Sequence, residues 1–273
     1  MKICMCTDME GVAGVMDSEN WCLPTGRYYE QGKRLLTREV NAAVEGFFDA
    51  GASEILVMDA HGYGGIDITW LDPRVKLARG WPWVWPFSLD PSFDAVAWVG
   101  QHAKAGSENA HIAHTQSFEY VDLTVNGVSI GEFGQMAMCA SELGVRSIFA
   151  SGDEALEKEA SGLVFGIETV AVKSGVTLGS GDELAYEAYA HRNLAAVHIQ
   201  PRTAREMIRS GAKSALLRAM KESFGILEMS APYVRVARLR AKDGAPRRIS
   251  REQHPSSLIE LLNMPFEFQP DNE

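Results

Sequence analysis

Cysteine is scarce here, and its placement excludes the roles it most often announces. Cys4, Cys6, Cys22 and Cys139 are the four present, with no CxxC pair among them, so a thiolate-based structural zinc site is not supported. Cys4 and Cys6 share one face of one strand and lie too close in sequence to form a structural bridge. All four read as small, buried, reduced residues. Positive charge is also in deficit: 26 Lys and Arg against 36 Asp and Glu leave a net charge of −10. That argues against nucleic acid or an anionic membrane surface as a partner. An acidic surface suits a cationic substrate and is equally ordinary for a soluble cytoplasmic protein. No apolar run reaches the roughly 18 residues of a membrane span, and no apolar leader precedes the first strand. A cytoplasmic protein without a membrane partner is expected. Internal repeats and low-complexity segments are absent as well.

What is present begins at once. Ile3-Cys4-Met5-Cys6-Thr7 is an apolar run that ends in Asp8-Met9-Glu10-Gly11, a buried strand stopped by two carboxylates and a glycine. Carboxylates at that position are costly unless a cation or hydrogen bonds neutralise them, and ligand sites of open α/β sheets lie at such strand ends. A solvated acidic turn is the plain alternative. Residues 12–27 read as a loop. A helix over 29–50 follows, with Leu36, Val40, Ala43, Val44, Phe47 and Phe48 at helical spacing and Gly51 as its stop. Glu54–Asp59 is the next strand, which completes a βαβ unit with parallel strands. Ala95–Val99 is a third. Tyr120–Val125 and Val128–Gly131 flank Asn126-Gly127, a hairpin signal. Helices are expected over 132–143, 154–160, 182–196 and 203–223, the last capped by Thr203, with strands over 145–150 and 169–172. At 273 residues and 46% hydrophobic, the chain can bury a sizeable core. The expected fold is α/β: a three-layer sandwich with a mostly parallel central sheet, plus a β-hairpin. Residues 1–224 are read as that domain. Residues 225–273, with one basic strand-like run (233–240) and a short helix (257–263), are read as a divergent, loosely packed extension, within the same domain or at an oligomer contact.

Each of the three apolar strands ends in potential metal ligands: Asp8 and Glu10, then Asp59-Ala60-His61, then Gly100-Gln101-His102. Glu132 heads a helix after the hairpin, and His111 and His114 stand in the polar segment before it. Carboxylate and imidazole form the ligand set of zinc and similar divalent ions. Asp8, Glu10, His61, His102 and Glu132 are too many for one tetrahedral site. They suit two metals about 3.5–4 Å apart, with the short Asp8 side chain bridging. Each residue also has an ordinary structural use, and Glu132 is favourable first-turn charge in any helix. Gly62-Tyr63-Gly64-Gly65 follows a strand as a phosphate loop would, yet lacks the spacing of either nucleotide motif. The Trp81-Pro82-Trp83-Val84-Trp85-Pro86 run suits a pocket wall, a subunit contact or simple packing. Asp153 and Lys173 end later strands and are candidate substrate contacts, with Trp83 and His111.

Cys6-Thr7-Asp8-Met9-Glu10-Gly11 resembles the Ser-x-Asp-x-Glu-Gly signature of the bacterial zinc D-aminopeptidases of the dipeptide-transport operon type. Asp59-Ala60-His61 is similar to that family's Asp-Ser-His, and Gly100-Gln101-His102-Ala103-Lys104-Ala105 to its Gly-x-His-Ala-(Arg/Lys)-Ala. Gly131-Glu132-Phe133-Gly134, Ser151-Gly152-Asp153 and Ala171-Val172-Lys173 also have counterparts, in the same order. The resemblance covers about residues 1–200. It implies a dinuclear zinc centre on Asp8, Glu10, His61, His102 and Glu132, with His114 as the catalytic histidine. It implies release of N-terminal D-amino acids from short peptides; the mechanism expected of such a centre is attack of a metal-bridging hydroxide on a metal-polarised carbonyl. It also implies a homo-oligomer, a ring-shaped decamer that encloses its active sites. Cys6 stands where the signature has Ser, and the loop carrying the extra His111 is one residue longer. A non-peptide amidase or lactamase acting on a small cyclic or aromatic amide is the second reading, motivated by the tryptophan run. A non-catalytic metal- or nucleotide-binding module is a third.

Overall fold

Strand alternation sets the layers. Along the first strand Ile3 and Met5 enter one buried cluster, while Cys4 and Cys6 enter another, the period-two arrangement of a sheet covered on both faces. The structure is a computed structural model and describes residues 1–80 and 84–271. The chain runs β1 (Lys2–Thr7), the one-turn α1 (Ser18–Trp21), α2 (Tyr29–Asp49), β2 (Glu54–Asp59), β3 (Lys76–Ala78) and β4 (Ala95–Gln101). It continues through β5 (Tyr120–Val125), β6 (Val128–Ser129), α3 (Glu132–Glu142), β7 (Arg146–Asp153), α4 (Glu154–Leu163) and β8 (Glu168–Gly175). It ends with α5 (Tyr186–Ala190), β9 (Ala196–His198), α6 (Pro201–Ala219), β10 (Tyr233–Leu239), β11 (Arg248–His254), α7 (Leu258–Asn263) and β12 (Gln269–Pro270).

The fold is mixed α/β. A seven-stranded sheet has the order β3-β2-β1-β4-β7-β8-β9, parallel except for the edge strand β9. Helices α2 and α6 cover one face, and α3 and α4 the other. A five-stranded antiparallel sheet, β12-β11-β10-β5-β6, adds to the second cluster. The chain leaves β1 for β2 on one side and returns to β4 on the other, so the carboxyl end of β1 is the switch point where α/β sheets open a crevice. All four cysteines are buried and unpaired. Among the described residues no helix is long and apolar enough to cross a membrane.

The structure departs from the sequence expectations in places with physical causes. The helix expected over 182–196 is only α5: before it the carbonyl of Leu184 accepts from Arg240, and after it Ala196–His198 pairs with β8 as a strand. Helix α6 is capped by Gln200, whose side chain accepts from Arg202 N at 2.6 Å, and not by Thr203. β11 escapes the strand pattern because its inward residues are Ser250 and Glu252, which present no apolar alternation. Residues beyond 225, expected to pack loosely, pair β10 with β5 and bury Leu239, Leu258, Leu261 and Leu262. The basic run contains Arg235, only 1% exposed. Its Nε lies 2.9 Å from Glu252 Oε2, and its two terminal nitrogens donate to the carbonyls of Leu262 (3.0 Å) and Met264 (2.8 Å). A buried guanidinium is tolerable only with this degree of pairing.

Candidate metal centre

The ends of β1, β2 and β4 meet because glycine lets their backbones touch. A Cβ on Gly11 would lie 2.0 Å from the carbonyl oxygen of Gln101, and one on Gly100, where φ is +76°, would lie 2.1 Å from that of Asp8. This contact between β1 and β4 sets Asp8 and Glu10 beside His102, and the parallel β1–β2 pairing adds His61 to the same buried cluster. Asp8 Oδ1 faces His61 Nδ1 at 3.2 Å, and Asp8 Oδ2 faces His102 Nε2 at 3.2 Å. Glu10 Oε2 is 3.2 Å from the same His61 nitrogen. Glu132, at the N-terminus of α3, puts Oε1 3.6 Å from His102 Nε2 and 3.9 Å from His114 Nε2. The donors form two groups, Asp8–Glu10–His61 and His102–His114–Glu132, with Asp8 between them.

Backbone carbonyls hold the imidazoles in ligand-ready tautomers. His61 Nε2 lies 2.7 Å from Cys22 O, His102 Nδ1 2.9 Å from Ala103 O and His114 Nδ1 2.9 Å from Ile112 O. A carbonyl accepts only, so each of these nitrogens carries a proton, and the other nitrogen of each ring faces the cluster, where a cation takes its lone pair in place of any proton. His102 and His114 stack at 4.0 Å between centroids.

Burial and charge oppose each other here. Burial would raise Asp8, yet the facing imidazoles of His102 and His61 hold it well below the usual carboxylate range. Burial would lower His102, yet Glu132 and Asp8 push it up to about 10. Burial raises Glu132 to about 7, against the pull of His102. His114 goes the other way, held at about 4 by burial and by His102, and is neutral at pH 7. A divalent ion fits this set. Glu10 Oε2 and His102 Nε2 are buried without a hydrogen-bond partner, and a cation satisfies both while replacing the proton on His102.

The cluster forms the floor of a cavity of about 760 Å³, a size that encloses a small organic molecule. His111, Lys173 and Asp153 do not line it. His111 is fully buried, with Nε2 3.0 Å from Met16 O and its ring edge-on to His198 at 5.2 Å. Lys173 Nζ donates to the carbonyl of Glu10. Asp153 caps α4 through Leu156 N (2.9 Å) and accepts from His111 N (2.9 Å). These residues hold the ligand loop from behind, where strand-end position alone suggests substrate contact. Trp83 lies outside the described residues. In the Gly62–Gly65 loop, Gly64 N donates to the carbonyl of His61 and Gly65 N to the Asp59 carboxylate, and amides so engaged are not offered to a phosphate.

Three supporting residues carry no local sequence signal of their role. Gln101 donates to Asp8 Oδ2 at 3.1 Å. Glu159 accepts from Lys104 N (2.8 Å) and Gly131 N (2.9 Å), tying the His102 loop to the start of α3. Glu39 accepts from Ala13 N at 3.0 Å. Gln101 alone stands inside a recognisable motif.

Comparison with known proteins supplies the family. The D-aminopeptidase family model matches residues 1–247. A curated D-aminopeptidase from Bacillus subtilis is 31% identical over 182 residues, 65% of this chain and 65% of that relative. The aligned region thus spans just under two thirds of the relative's length. Among solved structures, the zinc-dependent D-aminopeptidase DppA from Bacillus subtilis, titled a self-compartmentalizing protease, matches with a TM-score of 0.79. That match covers 96% of this chain and 94% of the other at 23% identity, a likeness of fold.

Proposed function

The chain belongs to the D-aminopeptidase family, and from that membership we propose that it is a dinuclear-zinc amide hydrolase that releases N-terminal D-amino acids from short peptides. The observation that carries this reading is the placement of Asp8, whose two oxygens face His61 and His102 on opposite sides. Asp8, Glu10 and His61 would hold one ion, and Asp8, His102 and Glu132 the other. When bound, two divalent ions lower the pKa of a shared water and polarise an amide carbonyl. Gln101 orients the Asp8 carboxylate by donating to its Oδ2 at 3.1 Å. His114, neutral and anchored through Nδ1, presents Nε2 to take up the proton of the attacking water and return it to the leaving amine.

The zinc-loaded protein is expected to cleave D-alanyl dipeptides, to lose that activity on chelation and to regain it with zinc. A panel of D- and L-dipeptides, lactams and aryl amides tests this, and the absence of chelator-sensitive turnover on every amide would sink the reading. The second reading, a non-peptide amidase with the same centre, is favoured by the aromatic lining of the cavity. It predicts lactam or aryl-amide turnover in excess of peptide turnover.

We also place the chain in a closed homo-oligomer of roughly ten subunits, since its fold matches a protein titled self-compartmentalizing. Light scattering that returns a monomer or dimer at micromolar concentration removes that assignment. The unpaired, buried cysteines suit a reducing cytoplasm.

A further inference from the structure

The tail reaches the cavity. Met264 and Phe266, in the turn after α7, line it together with Trp85, Phe87, Phe118 and Tyr186. The wall they form is aromatic and uncharged, in contrast to the carboxylates and imidazoles of the floor. It is also braced from behind. Arg235 holds the carbonyls of Leu262 and Met264 and stacks on the Phe266 ring at 3.8 Å. Asn263 joins the tail to the loop, its side-chain oxygen accepting from Trp85 N at 2.8 Å and its amide donating to Trp85 O at 2.9 Å. Trp85 and Phe87 then lie 4.6 Å apart between centroids. Two segments 178 positions apart in sequence are therefore fastened edge to edge, with their aromatic side chains on the cavity.

We propose that this wall is the specificity subsite of the centre, and that it selects amides carrying an aromatic or large apolar side chain. The inference rests on the hydrolase reading for its substrate type, but the wall itself stands on geometry. A single alanyl methyl leaves most of the 760 Å³ to water, whereas an aromatic ring packs against the half-buried Trp85, Phe118 and Phe266 side chains that line it. Because Arg235 and Asn263 already fix the wall, a ligand gains that contact without ordering a loop. Phe118 leans on His114, with centroids 4.7 Å apart, so a side chain seated on the wall abuts the residue that handles the proton.

The test compares D-Phe-D-Ala, D-Ala-D-Phe and D-Ala-D-Ala, with their L counterparts, on the zinc-loaded protein. At least one phenylalanyl dipeptide is expected to exceed its alanyl counterpart about 10-fold in kcat/KM, the scale of a hydrophobic-pocket preference. Phe266→Ala and Trp85→Ala are expected to lower that phenylalanyl-to-alanyl ratio by a similar factor. Met264→Ala serves as the milder variant if either of these fails to fold. Equal rates for all dipeptides, or a ratio that the variants leave unchanged, overturn the subsite and leave the hydrolase reading intact. A second arm needs no turnover. Calorimetry on metal-free protein should show D- or L-phenylalanine binding more tightly than alanine, and Phe266→Ala should erase the difference. If neither a dipeptide nor any other amide of the panel is cleaved but this binding difference is seen, the hydrolase reading fails and the apolar subsite stands; if calorimetry shows none, the subsite fails too.

Discussion

Asp8→Ala is expected to strip the centre: elemental analysis should find well below one divalent ion per chain, against about two expected in the parent. Each oxygen of Asp8 faces a different histidine at 3.2 Å, so one truncation removes a ligand from both positions. The remaining donors, Glu10 with His61 and Glu132 with His102, leave only two of the proposed ligands on each side. The loss in kcat/KM should be at least about 10³-fold, the equivalent of about 4 kcal/mol of charge stabilisation. Circular dichroism should show the parent's fold, because β1 keeps its pairing with β2 and β4. Full metal content in Asp8→Ala would end the bridging role.

His114→Ala is expected to keep its metals and lose at least about 10²-fold in kcat, the scale of a proton-transfer residue. His114 also stands in one geometric group with His102 and Glu132, so a rival assignment makes it a ligand. Metal analysis separates the two: a His114→Ala protein lacking one ion supports the ligand, and a fully loaded, slow protein supports proton transfer. His111→Ala is the internal control. Its sequence position suggests the mouth of the cavity, but His111 is fully buried against His198 and Met16 O. It should lower the midpoint of thermal unfolding, with little change in KM.

Much of the cavity floor is legible in the sequence. Asp8, Glu10, His61, His102 and Glu132 all stand at strand or helix ends, and a parallel sheet gathers its strand ends on one side. Chemistry then narrows the choice, since carboxylates and imidazoles converge there at high electrostatic cost unless a cation offsets it. The hairpin at Asn126-Gly127 is equally plain, and both residues take positive φ, +50° and +79°. Lys173 and Asp153 show where this logic stops. They too end strands, yet their side chains turn to the Glu10 carbonyl and to the start of α4. A strand end says where a residue sits and not which face of the crevice its side chain takes.

Residue order alone settles the parallel core and the succession of carboxylates and imidazoles at its strand ends, because period-two and helical patterns are local and side-chain chemistry belongs to single residues. Which histidine nitrogen faces the centre is settled only by folding, since it depends on the carbonyls of Cys22, Ala103 and Ile112. Folding also makes the tail a wall of the cavity. Arg235 reaches carbonyls 27 and 29 positions away, Glu159 an amide 55 positions away and Asn263 a backbone 178 positions away. Such bonds are formed by buried polar groups that must find partners wherever folding leaves them, and no local pattern records the outcome.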